Sequence, residues 1–164
     1  MTDGPLPLGS WLEAFRHAAD ELGRISLRFD TRTPAQEADD GSRPGAYIAV
    51  LSEHDSVHLG LTASPAHCRV LARGLLGLRH GEAIADKDVI DGVSEVMNIL
   101  AGKVKSQMSG HDGQLRLGLP MFIATPIQPA GDMEHVCESI AIGPVACELR
   151  VYRRRLHARD SAAA

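Results

Sequence analysis

Residues 86–110, DKDVIDGVSEVMNILAGKVKSQMSG, decide how this chain is read. Turning each residue by about 100° along a helix puts Val89, Val93, Val96, Leu100 and Val104 on one side. Asp91, Ser94, Glu95, Asn98, Gly102 and Lys105 fall on the opposite side. Asp86 is placed to cap a helix over 87–109, and Gly110 to end it. One face therefore belongs to a core, and packing does not require the other. Two residues of the outer face are poor choices for a helix interior. Asn competes with the backbone for hydrogen bonds, and Gly costs roughly 1 kcal/mol against Ala. Gly102, four residues past Asn98, removes a side chain beside it and permits close approach by another backbone.

Working outward from this helix, Ser10 and Glu13 form a capping-box pattern. Trp11, Phe15, Ala18 and Leu22 repeat at helical spacing and Gly23 supplies a stop, which predicts a helix over 11–22. Ile25, Leu27 and Phe29 alternate with polar residues, the pattern of a half-buried strand. Residues 30–45 are polar, with two prolines and two glycines, and read as a loop. AYIAVLS at 46–52 and VHLGLTA at 57–63, joined by the turn EHDS, read as a hairpin. Ser64 before Pro65 starts a second helix running to about Leu76, with Cys68, Leu71, Ala72 and Leu75 on its apolar side and Gly77 at its end.

After the long helix, Leu115, Leu117 and Leu119 alternate in a strand halted by Pro120. MFIAT at 121–125, followed by Pro126 and Pro129, reads as an edge or irregular strand. Strands at 134–142 and 145–154 flank Gly143-Pro144 as a C-terminal hairpin. The order of elements does not alternate β-α-β. It predicts an α+β fold, an antiparallel or mixed β-sheet with long helices packed on one face. One domain is expected over 8–155, with flexible termini at 1–7 and 156–164.

Composition narrows the possible partners. The chain has 164 residues, of which 44% are hydrophobic and only 4% aromatic, so its core must rest on aliphatic residues. A net charge of −4 gives no reason to expect nucleic acid. No run approaches the roughly 18 apolar residues of a membrane span, and MTDGPLPLGS lacks the marks of a signal peptide. A cytoplasmic protein is expected. Cys68, Cys137 and Cys147 all fall within predicted elements and read as buried thiols, although Cys137 and Cys147 have the alternative of pairing across the last hairpin. His54 and His58 lie across a turn and read as surface residues. No Cys-x-x-Cys or His-Glu-x-x-His is present, and no metal site is expected. Arg153, Arg154 and Arg155 read as a solvated strand end, with a contact to an acidic partner as the alternative.

The outer face of the long helix offers a specific chemistry. Asn98 carries two donors and one acceptor without charge, so it can hold a water beside a phosphate where a carboxylate would add repulsion. Glu95, three residues earlier, suits a charge pair with a lysine on another protein. SEVMNILAG at 94–102 resembles the signature of the CheX/CheC-type chemotaxis phosphatases: Asp or Ser, then Glu, two residues, Asn, three residues and usually Gly. Ser94, Glu95, Asn98 and Gly102 match at every position, and a single copy resembles the CheX type. The hairpin over 46–64, the helix after it and LRLGLPMFIAT extend the likeness over roughly residues 8–153. That stretch departs from the family near Thr125-Pro126, where a glycine is usual.

The resemblance implies a phosphatase acting on the aspartyl phosphate of a CheY-like receiver domain. Asn98 would orient the attacking water and Glu95 would engage the receiver's lysine. Ser94, Gly102, Asp91 and Lys105 would line the docking face. It implies no cofactor on this chain, Mg²⁺ carried by the receiver, and a homodimer. Two other readings stand beside it: a non-catalytic adaptor that binds a receiver through the same face, and a metal or ligand sensor using His54 and His58.

Overall fold

The computed structural model describes residues 5–29, 41–52, 56–79, 81–111 and 114–154. Its framework is two antiparallel hairpins laid side by side. β1 (Gly45–Leu51) pairs with β2 (Ser56–Ala63), and β5 (Met133–Ile142) pairs with β6 (Val145–Arg154). β2 and β6 join the hairpins, Leu59 opposite Val151 and Leu61 opposite Leu149. The short strands β3 (Arg116–Leu117) and β4 (Met121–Ile123) both pair with β1, giving the order β3-β1-β2-β6-β5 with β4 beside the other end of β1. Every pairing is antiparallel. The turn between β5 and β6 is tight because Gly143 takes φ +56° ahead of Pro144, a backbone that a side chain would strain.

Alternation sorts the two faces of the sheet. Ala46, Ile48 and Val50 of β1, Val57, Leu59 and Leu61 of β2, and Val145, Leu149 and Val151 of β6 are buried together. Three helices cover that side: α1 (Leu8–Ile25), α2 (Pro65–Leu76) and α3 (Asp86–Met108). α1 packs on β5, β6 and α3, while α2 packs on α3. On the other side Tyr47 of β1 lies over Gly60 of β2, where a Cβ would sit 2.4 Å from its ring. Tyr152 stands 6.3 Å from Tyr47 between ring centroids. The chain beyond β4 crosses this side: Tyr152 donates to the Ile127 carbonyl at 3.4 Å, and the Ile127 N–H donates to the Tyr47 hydroxyl at 3.5 Å.

The α+β architecture, both hairpins and the three helices agree with expectation. Ser64 caps α2 by accepting the His67 N–H at 3.3 Å, Pro65 opens the helix, and Gly77 closes it at φ +65°. Several local expectations do not hold. The capping box at Ser10 is not used, because Pro7 is the N-cap and the Ser10 N–H already donates to the Pro7 carbonyl inside the first turn. Leu8 is buried, and its packing carries the helix start back beyond Ser10. Gly23 does not stop α1; it lets the helix lie close to β5, where a Cβ would come 3.2 Å from Ile142 Cγ2.

Residues 25–29 form no strand. Ile25 closes α1 at 75% exposure, and the Arg28 N–H bonds the Gly74 carbonyl at the end of α2. Ala85 rather than Asp86 caps α3; Asp86 sits in its first turn, where negative charge favours the helix dipole. The leucine alternation ends early, since the Gly118 N–H bonds the Ala49 carbonyl and Leu119 is 87% exposed. MFIAT does contribute an edge strand beside β1. The loop at 30–45 and both expected flexible termini lie largely outside the described residues.

Candidate functional site on the central helix

α3 is fixed along one side by Val89, Val93, Val96, Met97, Leu100, Ala101 and Val104, all buried. Gly92 sets its distance from α2: a Cβ there would come 2.7 Å from Ala72 Cβ and 3.0 Å from Ala72 Cα. A glycine within a helical pattern signals such a contact, but the sequence does not say which helix presses on it. Nearer its C-terminus α3 is tied to α1 by Lys103 Nζ, 2.7 Å from Glu21 Oε1. This hydrogen bond and the lysine's charge hold the Glu21 carboxyl below its ordinary range. Nothing in the sequence pairs residues 82 positions apart, so Glu21 and Lys103 are absent from the sequence reading.

The outer face is as the helical wheel places it. Asp91, Glu95, Asn98 and Lys105 are exposed, while Ser94 and Gly102 are half-buried. All six occupy an arc of about 100° at helical pitch. Glu95 and Asn98 stand one turn apart, and among the described residues neither side chain has a hydrogen-bond or ion-pair partner. A Cβ placed on Gly102 would meet nothing within 4 Å. The Gly102 carbonyl accepts the Ser106 hydroxyl at 3.0 Å, so its second lone pair is also committed to the helix. The result is a rigid helix surface with a free carboxylate, a free amide and a level patch beside them.

No group of three His, Cys, Asp or Glu among the described residues could hold a metal ion. His54 lies outside them, and His58 is within 3.5 Å of the Ser56 hydroxyl on the sheet. Of the three thiols, Cys68 and Cys147 are buried as expected, but Cys137 is exposed. Register explains this: Cys137 faces Arg150 while Cys147 faces Ile140, so the two cysteines point to opposite sides of the sheet and no bridge joins them. Burial pushes the Cys68 thiol up to about 11 and that of Cys147 up to about 12. Arg153 is no solvated strand end: it is held by Glu134 at 2.7 Å and donates to the Leu6 carbonyl at 2.7 Å. Arg154 pairs with Asp132 at 3.2 Å.

Fold and helix together define an α+β protein whose central helix presents a polar face, backed by a single antiparallel sheet. The chain belongs to the CheX family: the family described as chemotaxis phosphatase CheX matches residues 45–135, more than half of the chain and all of α3. No curated protein matches it in sequence. Solved structures share the fold at low identity. A CheC-like superfamily protein from Shewanella sp. PV-4 aligns with TM-score 0.66 and 14% identity over 89% of this chain and 98% of its own. The chemotaxis protein CheX of Desulfovibrio desulfuricans aligns with TM-score 0.66 and 13% identity, over 88% and 99%. CheX of Borrelia burgdorferi, solved as a CheX–CheY–BeF3–Mg²⁺ complex, aligns with TM-score 0.57 and 14% identity over 90% and 97%.

Proposed function

We propose that this protein hydrolyses the aspartyl phosphate of a CheY-like receiver domain, using the outer face of α3. The observation that carries the reading is the Glu95–Asn98 pair: exposed, free of partners among the described residues, and next to a glycine with open space above it. Family membership and the CheX–CheY complex of the Borrelia relative support the choice of partner.

In this reading α3 enters the receiver's phosphorylation site. Glu95 pairs with a receiver lysine and fixes the register of docking. Asn98 holds a water in line with phosphorus through its amide. The water oxygen forms a bond to phosphorus as the bond from phosphorus to the receiver's carboxylate breaks. Inorganic phosphate leaves, the receiver keeps its free aspartate carboxylate, and the water's protons pass to phosphate and solvent. Mg²⁺ carried by the receiver would neutralise phosphate charge. This chain supplies position rather than a base, which suits a reaction whose catalysis is mostly positioning and electrostatics. A homodimer in the cytoplasm, the compartment of such receivers, belongs to the same reading.

The test is loss of phosphate from a phosphorylated receiver with purified proteins. Asn98→Ala should slow turnover on the order of 100-fold, as expected when a reacting group loses its alignment, and leave binding to a phosphate-mimicking receiver intact. Glu95→Ala should weaken binding as well as rate. If Asn98→Ala turns over as fast as the parent, the mechanism is wrong. Tight binding by the parent protein without turnover would make it an adaptor instead.

A further inference from the structure

The covered side of α3 loses its cover before the helix reaches its N-terminus. Ile90, Met97 and Ala101 fall on one flank, within about 40° of one another at 3.6 residues per turn. Met97 and Ala101 are fully buried, whereas Ile90, about two turns nearer the start of the helix, is 41% exposed.

A notch lies beside it. Its volume is about 170 Å³, and its wall is made by Val89 and Ile90 of α3, Pro65 and Cys68 of α2, Phe122 of β4 and Pro44 just ahead of β1. The two charged residues on the wall, Asp86 and Arg69, carry opposite signs. What the notch offers is therefore mainly apolar contact. An apolar cavity of about 150 Å³ takes a group the size of benzene, so this one has room for a single leucine, methionine or phenylalanine side chain.

The place of Ile90 on the helix indicates what covers it. Ile90, Ser94, Asn98 and Gly102 stand at intervals of four and form one ridge of the α3 surface. Ile90 and Ser94 are direct neighbours on that ridge, and Asn98 lies about 12 Å from Ile90 along the axis at 1.5 Å per residue. The ridge runs from an exposed apolar residue to the amide and glycine of the proposed docking face. A protein seated on Asn98 and Gly102 that extends two turns toward the helix start meets Ile90 and the notch. A second copy of this chain is a poorer occupant. Room for one side chain is far below the roughly 1,200–2,000 Å² that a stable interface buries, so the notch can serve only within a larger contact, and the α3 ridge adjoins it.

We propose that the notch beside Ile90 is an anchor pocket for the receiver domain. It takes one apolar side chain that the receiver carries about 12 Å from its phosphoryl group. This rests on the reading of α3 as the receiver-docking face. Side chains seated in well-packed pockets carry most of an interface's affinity. The anchor sits away from phosphorus and holds ground state and transition state alike. It therefore selects which receiver binds, not how fast phosphate leaves.

Two measurements on the full chain test the anchor. Titration calorimetry with a CheY-like receiver loaded with BeF3 and Mg²⁺ reads binding, and phosphate release from the phosphorylated receiver reads turnover. Ile90→Gln, which adds no charge, should weaken binding about tenfold and raise KM by a like factor, with the loss in KM rather than kcat. Ile90→Met puts back an apolar side chain and should bind within about twofold of the parent. Unchanged affinity in Ile90→Gln, or a loss confined to kcat, overturns the anchor and leaves the receiver as partner. A fall in melting temperature of more than about 4 °C for Ile90→Gln would show Ile90 to be part of the core and overturns it too. If Ile90→Gln dissociates a dimer of this chain in sedimentation, the notch belongs to a second copy and the anchor is wrong. A parent protein that neither binds nor dephosphorylates any CheY-like receiver of its own organism removes the Asn98 reading, and the anchor with it.

Discussion

Gly102→Ala asks α3 whether its glycine serves the fold or the partner. A mid-helix alanine is favoured over glycine by about 0.8–1.0 kcal/mol. The new methyl would meet nothing within 4 Å, so no packing cost opposes that gain. The variant should therefore be more stable by about 1 kcal/mol, a rise in melting temperature of about 2–4 °C for a chain of this size. Function should move the other way. The methyl projects from the same arc as Asn98 and Glu95, where the receiver's backbone is proposed to lie. A displacement of about 1 Å in a positioned reaction costs on the order of 100-fold, so receiver dephosphorylation should fall while the protein melts later. Urea denaturation and a phosphate-release assay on the same preparation read both quantities. If Gly102→Ala is stabilised but fully active, α3 does not approach its partner closely at this point. If it is destabilised, Gly102 is structural and the open face is wrong.

The same substitution one face away should do the opposite. Gly92→Ala drives a methyl against Ala72, an overpacking cost of about 1–3 kcal/mol against roughly 1 kcal/mol of helix gain; a lower urea midpoint is expected, and a higher one would contradict the close α2–α3 contact. In the native protein at pH 8, iodoacetamide should label Cys137 quickly and spare Cys68 and Cys147, whose buried thiols stay protonated; rapid labelling of all three would refute that burial. The Glu21 carboxyl is lowered by Lys103, so the pair's stabilisation is present above the unfolded value of 4.5 and lost as pH falls through the lowered one. Lys103→Met should remove that part of the acid dependence, and stability curves that stay parallel below about pH 5 would show that the contact does not persist in solution.

The parts of the fold legible in the sequence are those fixed by local chemistry. Ser64-Pro65 and Gly77 bound α2 because cap and stop act within a few residues of themselves. Gly143-Pro144 marks the last hairpin because only that backbone reverses the chain so tightly. Errors came where a distant contact overrode a local pattern. Leu27 and Phe29 alternate like a strand, but the Arg28 N–H is taken by Gly74 of α2, 46 residues away by the numbering, so no sheet edge is available to them. Ser10 offered a cap that the burial of Leu8 made redundant. The outer face of α3 could be read whole because its six residues lie on one helix and helical pitch alone brings them together. Glu21 and Lys103 could not be, since only the packing of α1 on α3 joins residues 82 positions apart.

One property of α3 reaches beyond mechanism. The side that holds the protein together and the side proposed to act share no residue: the valines and Leu100 face inward, while Glu95 and Asn98 bond nothing among the described residues. Selection on one side therefore leaves the other untouched. On the proposed reading, a lineage that exchanged Asn98 for an inert residue would inherit an intact receptor for its receiver, converting an eraser of the signal into a shield for it by one codon.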